Sequence, residues 1–183
     1  MRRGLTVLAA LSAGCLISAA SAFALDLPQR KPGLWGLTMN FEGRHLPAQV
    51  IKQCIDAASD KLMNSNFGGS AMAKCSKQDI SHAGGVMTVD SVCQVGGATT
   101  TTHAVITGSF DSAYTVDVTS TRRGGPRVPG MAAGGANHMK IAAKWLGPCG
   151  AGQRPGDMIM ANGMKMNVLD LRKMGGAHRP PRH

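Results

Sequence analysis

The chain is short of acid. Against twenty Lys and Arg it has ten Asp and Glu, and Glu42 is its single glutamate. Catalysis by paired carboxylates is therefore thinly supplied, because the aspartates fall mostly at turns or on polar faces. Aromatic residues make up only 4% of the chain, so core filling is expected to absorb most of them. There is no Gly-x-Ser-x-Gly elbow, which removes the common serine-nucleophile arrangement. There is no Cys-x-x-Cys pair either, which removes the zinc-ribbon and thioredoxin-like readings. The glycine-rich stretch from Gly124 to Gly135 lacks the Lys-Ser/Thr ending of a phosphate loop and reads as a linker. His45, His82, His103 and His138 lie in separate segments without ligand spacing and read as surface histidines. No enzyme class is indicated and no cofactor is expected.

The one long apolar run is at the start. Arg2 and Arg3 precede an uncharged Leu/Ala-rich stretch from Gly4 to Ala20, and Ala22-Phe23-Ala24 offers small residues at a cleavage site. This pattern reads as a signal peptide over residues 1–24, with a mature chain beginning at Leu25 and a periplasmic or secreted destination. A membrane anchor is the alternative, but the run is only about 17 residues long. A second alternative is lipidation at Cys15, since Leu11-Ser12-Ala13-Gly14-Cys15 resembles a lipobox with its leucine one place too far upstream.

Removal of the leader from the 183 residues leaves roughly 160, enough for one domain with its own core. We expect that domain over residues 25–168 and a partly disordered tail over 169–183, with no transmembrane segment in the mature chain. The formal charge of +10 falls by the two leader arginines and stays strongly positive. That surplus favours anionic partners such as lipid headgroups or envelope polymers, although simple solubility accounts for it as well. Nucleic acid is not expected, because the basic residues are scattered and export separates the two.

What the mature chain does have is four cysteines, Cys54, Cys75, Cys93 and Cys149. An even number in an oxidising compartment predicts two disulfides and leaves no free thiol for catalysis. Cys75 and Cys93 flank Ala83-Gly84-Gly85, and a three-residue turn there sets them opposite each other. A register shifted by one residue would pair Ile80 with Val89 and require a bulge to realign the sulfurs. Cys54 and Cys149 are then left to each other. In the chain-entropy model the shorter loop contributes about 3 kcal/mol and the longer about 4.7 kcal/mol.

Strict alternation marks the strands. Trp35, Leu37, Met39 and Phe41 fall on one side of the stretch from Leu34 to Glu42. The same pattern returns at Met87/Val89/Val95, Ala104/Ile106/Phe110, Tyr114/Val116/Val118 and Met139/Ile141/Ala143/Trp145. One apolar and one polar side per strand describes an antiparallel sheet over a single core. Turns are expected at Glu42-Gly43, Ala83-Gly84-Gly85 and Asp111-Ser112. Pro47 to Asn64 reads as a strand ending at Cys54 followed by a helix from about Asp56. Residues Arg122 to Asn137 read as a long loop, and Met158-Ile159-Met160, Asn162-Gly163 and Met164-Lys165-Met166 as a hairpin. The expected fold is all-β with one short helix: a disulfide-linked antiparallel curved sheet or partly open barrel.

Three functional readings follow. The first is a non-enzymatic structural or interaction protein of the cell envelope. The second is a carrier of a small apolar ligand or lipid, with Trp35, Phe41, Phe110, Tyr114 and Trp145 as candidate lining residues. The third is copper(I) binding through Met158, Met160, Met164 and Met166, since thioethers are soft ligands. Core packing by these flexible side chains is its bland counterpart.

Lys31-Pro32-Gly33-Leu34-Trp35, Gln53-Cys54, the Cys75 and Cys93 pair, Leu146-Gly147-Pro148-Cys149 and Arg154-Pro155-Gly156-Asp157-Met158 resemble the bacterial exported family called domain of unknown function 3617. The likeness covers most of Lys31 to Met166. It implies a small disulfide-linked β domain of the envelope and supplies no catalytic residues. The chain departs from the family pattern at Gly36, where a Glu often follows the Trp, and in its arginine-bearing loop.

Overall fold

The computed structural model describes residues 27–43, 47–65, 74–126 and 135–176. The expected leader, Cys15 and His45 lie outside the described residues. Among the described residues nine strands and two short helices follow one another as β1 (Gly33–Phe41), β2 (Gln49–Ile55), α1 (Ala57–Ser65), β3 (Lys74–Ala83), β4 (Val86–Val95), β5 (Ala98–Ser109), β6 (Ala113–Gly124), β7 (Ala136–Gly147), β8 (Asp157–Met160), β9 (Lys165–Asn167) and α2 (Val168–Gly176). The strands form one antiparallel sheet in the order β3-β4-β5-β6-β7-β1-β2-β8-β9. It is open, with β3 and β9 at its ends. Among the described residues, no helix is long and apolar enough to cross a membrane.

Directly opposed residues of antiparallel strands share a face, and the registers place the apolar residues on one side. Leu37 is opposite Ile51 on β2 and Ala143 on β7, Val116 is opposite Ile141 and Ile106, and Val89 is opposite Ala104 and Ile80. Trp35, Ile55, Met87, Ile106, Val116, Ile141 and their neighbours form one buried cluster on this inner face. The outer face carries Thr88, Thr101, Thr115, Lys140 and Lys144, as the alternation requires.

The turn between β3 and β4 has two residues rather than the expected three. Gly84 and Gly85 both have positive φ (57° and 78°), and Ala83 pairs with Val86. Two consecutive left-handed residues suit a type I′ turn, whose twist matches the strands, and glycine takes that conformation without strain. Ile80 consequently pairs with Val89, and a bulge between Cys75 and Lys77 restores Cys75 opposite Cys93. Both disulfides form, Cys75–Cys93 tying edge strand β3 to β4 and Cys54–Cys149 tying β2 to the segment after β7.

Helix α1 begins where the sequence places it, because Asp56 and Ser59 make a reciprocal cap. Ser59 N–H donates to Asp56 Oδ1 (2.8 Å) and Asp56 N–H donates to Ser59 Oγ (2.9 Å). Two differences stand out. Arg122 and Arg123 lie within β6, and Ala136 and Asn137 within β7, so the strands take up both ends of the expected loop. The second helix, α2, occupies the start of the expected tail, capped by Asn167 Oδ1, which accepts from Leu169 N–H (3.0 Å).

Candidate functional site

Four sequence motifs meet at one corner of the sheet. Because β1 lies between β7 and β2, Leu34 is opposite both Gly147 and Cys54, and the Cys54–Cys149 bridge spans β1 at this point. Gly156 N–H donates to Cys54 O (2.8 Å), which brings in the Arg154–Asp157 turn. Gly33 enters β1 with φ 133°, and a Cβ there would lie 2.5 Å from Gly147 O and 2.6 Å from Trp145 Nε1. The close approach of β1 and β7 therefore requires glycine. Two indoles then satisfy the backbone of the entering segment, Trp35 Nε1 donating to Lys31 O (2.8 Å) and Trp145 Nε1 to Pro32 O (3.1 Å). Lys31 Nζ sits 4.0 Å from the Trp145 ring centroid.

Behind Trp35 is a buried polar cluster that sequence reading did not anticipate. Arg30 donates through Nε to Asp60 Oδ1 (2.7 Å), through its backbone N–H to Asp60 Oδ2 (2.9 Å) and through Nη1 to Gln53 Oε1 (2.9 Å). Arg30, Asp60 and Gln53 are all buried. Met63 Sδ (3.8 Å) lies against Nη2, and the guanidinium carbon is 5.8 Å from the Trp35 ring centroid. Gln53 left a trace in the sequence as a polar residue between Ile51 and Ile55 on the inner side of β2. Arg30 and Asp60 left none, since only the fold brings them together.

Among the five candidate lining residues, four, Trp35, Phe110, Tyr114 and Trp145, lie at this corner. Tyr114 stacks on Phe110 with centroids 4.8 Å apart and tilts against Trp35 at 5.6 Å. Burial pushes the Tyr114 phenol above its usual range, opposed by the Arg30 charge and hydrogen bond. Trp145 pairs with Trp35 and is turned to Lys31. Phe41, six residues from Trp35 on the same strand, is about 20 Å away and pairs with Met139.

The second polar knot is the Arg154-Pro155-Gly156-Asp157 turn. Asp157 is buried and accepts from Asn167 Nδ2 (2.9 Å) and Arg154 N–H (3.0 Å), with Lys165 Nζ at 3.4 Å. Burial raises its pKa, but the bonds from Asn167, Arg154 and Lys165 more than offset this and hold the carboxyl below its usual range. Arg154 also pairs with Asp170 of α2.

The histidines stay apart from this corner. His82, His103 and His138 are exposed, His103 Nδ1 lying 2.8 Å from Asp90 Oδ1 and His138 Nδ1 3.2 Å from Thr119 Oγ1. Among the described residues no group of three or more His, Cys, Asp or Glu is placed to hold a metal. Of the four hairpin methionines, Met158 and Met160 lie on β8, Met166 on β9 opposite Met158, and Met164 immediately before β9.

Fold and corner together define a single-sheet antiparallel β protein closed by two disulfides. A family model described as protein of unknown function (DUF3617) matches residues 30–149, from the buried Arg30 to the bridging Cys149, and the chain belongs to that family. No curated protein and no solved structure matches the chain.

Proposed function

We propose that the protein is an exported, non-enzymatic interaction domain of the cell envelope. The observation that carries this reading is the fate of the chemistry-bearing residues at the motif corner. Arg30 is engaged with Asp60 and Gln53, both indoles with backbone carbonyls, Asp157 with Asn167, and Cys54 with Cys149. No buried side-chain nitrogen or oxygen among the described residues lacks a partner. Side chains so committed hold a fold together instead of waiting for a substrate. The N-terminal leader pattern and the oxidised cysteines support export.

The charge supports an anionic partner. On the outer face Lys144 and Lys52 flank Gly36 on neighbouring strands. Both lysines are exposed. A second reading, an apolar ligand held on the inner face, is favoured by the gathering of Trp35, Phe110 and Tyr114 there.

Native mass spectrometry of the protein purified from its own envelope fraction tests the proposal. The expected species begins at Leu25, contains two disulfides and carries no covalent cofactor. A co-purifying lipid-sized adduct would favour the carrier reading. Recovery in the cytoplasm with its leader intact would overturn the proposal.

A further inference from the structure

Hairpin β8–β9 is built so that four methionines face one way. Met158 and Met166 are directly opposed in the register. Beyond them Met160 N–H donates to Met164 O (2.9 Å), and the turn is closed by Gly163 N–H to Met160 O (2.9 Å) and Met164 N–H to Asn162 Oδ1 (3.0 Å). Met160 and Met164 are therefore opposed as well. Opposed residues share a face, as do residues two apart on a strand, so all four side chains leave the same side. Opposed Cβ atoms in such pairs lie about 5 Å apart and those two residues apart on a strand about 7 Å. Three rotatable bonds per side chain let four sulfurs converge across those spans on one ion.

Core filling accounts for other methionines of this chain. Met87 belongs to the buried cluster, and Met39, Met63 and Met139 pack against it. None of the four hairpin methionines belongs to that cluster or packs against it. Met164 is 52% exposed, the other three are half-buried, and β9 is an edge strand. The nearest neighbours across β2 on this face are Ile51, opposite Met160, and Gln53, opposite Met158.

We propose that Met158, Met160, Met164 and Met166 form a binding site for one copper(I) ion. Neutral thioethers are soft donors that favour the cuprous ion over copper(II), zinc or the hard alkaline-earth cations. No carboxylate, imidazole or thiolate cluster among the described residues competes for harder metals. The exposed Met164 end gives the ion its entry path. Ion binding involves no electron transfer and no change in the disulfides. The proposal stands on this hairpin alone and is independent of the interaction reading.

The test is a competition titration of the mature, disulfide-intact protein against the coloured copper(I)–bicinchoninate complex, with ascorbate holding the metal reduced. The expected result is withdrawal of one copper per chain, with sulfur as the sole ligand type in copper-edge X-ray absorption. Single Met→Leu changes at these positions, nearly volume-conserving, should each weaken withdrawal by about tenfold, and the quadruple change should abolish it while circular dichroism is unaltered. Met39→Leu and Met139→Leu should leave the titration unchanged. No withdrawal by the unaltered protein, equal withdrawal by the quadruple variant, or nitrogen and oxygen ligands at the copper would each overturn the proposal. If the quadruple variant fails to fold, silver(I) titration of the unaltered protein decides the matter: the expected result is a shift of these four methionine methyl signals, and their failure to move overturns the site.

Discussion

Arg30 shows what one residue does in this fold. Its guanidinium binds the carboxylate of α1 and the amide of β2 at once, so its loss strands Asp60 as a buried, unpaired charge. Arg30→Met should cost about 3–5 kcal/mol in urea unfolding, and the paired change Arg30→Met with Asp60→Leu should recover most of that, since a buried ion pair is worth little more than its apolar replacement. An equal or larger loss in the double variant would mean that the pair contributes stability of its own. Asp157 makes a pH-dependent contribution. Its carboxyl is held low in the folded chain, so the stability it adds is present above the unfolded value near 4 and drains as pH falls through the lower native value. Asp157→Asn should therefore flatten the fall in stability below about pH 4, measured by unfolding at a series of pH values. An unchanged acid limb would assign that fall to other carboxylates.

At the scale of the element, turns and caps decide where strands and helices stop. Asp56→Ala removes the acceptor that starts α1 and should cost about 1 kcal/mol, read from thermal unfolding. Replacing Gly84 and Gly85 by alanine forces two left-handed residues and should cost about 1–2 kcal/mol at each position. Both positions were legible in the sequence, the start of α1 as a helix from about Asp56 and the turn as a glycine pair between alternating runs. The length of the turn was not. Alternation specifies which residues share a face but tolerates a shift of register if a bulge absorbs it, and the sulfurs of Cys75 and Cys93 are aligned by such a bulge at Ser76. Helix α2 was missed because Val168–Gly176 is short and ends in two glycines, and its start depends on a cap from Asn167, a residue already engaged with Asp157.

For the whole molecule, the sequence pattern carried the all-antiparallel sheet, its inner face and both cross-links, because period-two alternation and cysteine parity are local or countable. The strand order was out of reach: nothing in the chain says that β1 lies between β7 and β2, and that placement is what gathers the Pro-Gly-Leu-Trp, Gly-Pro-Cys and Arg-Pro-Gly-Asp segments into one corner. The candidate lining residues were found as aromatics on one face, yet Phe41 is set apart from the others by the length of its strand. In the chain-entropy model the two bridges supply about 3 and 4.7 kcal/mol, a large share of what a domain of this size usually has. Reduction should therefore unfold the protein well below the temperature at which the oxidised form melts.

The most direct measurement is peptide mapping, without reduction, of the protein isolated from the cells that make it, after alkylation of any free thiol. The account expects a chain starting at Leu25, a Cys54–Cys149 and a Cys75–Cys93 cross-linked peptide, and no alkylated cysteine. Alkylation of Cys54, Cys75, Cys93 and Cys149 on a chain that retains its first 24 residues would contradict it.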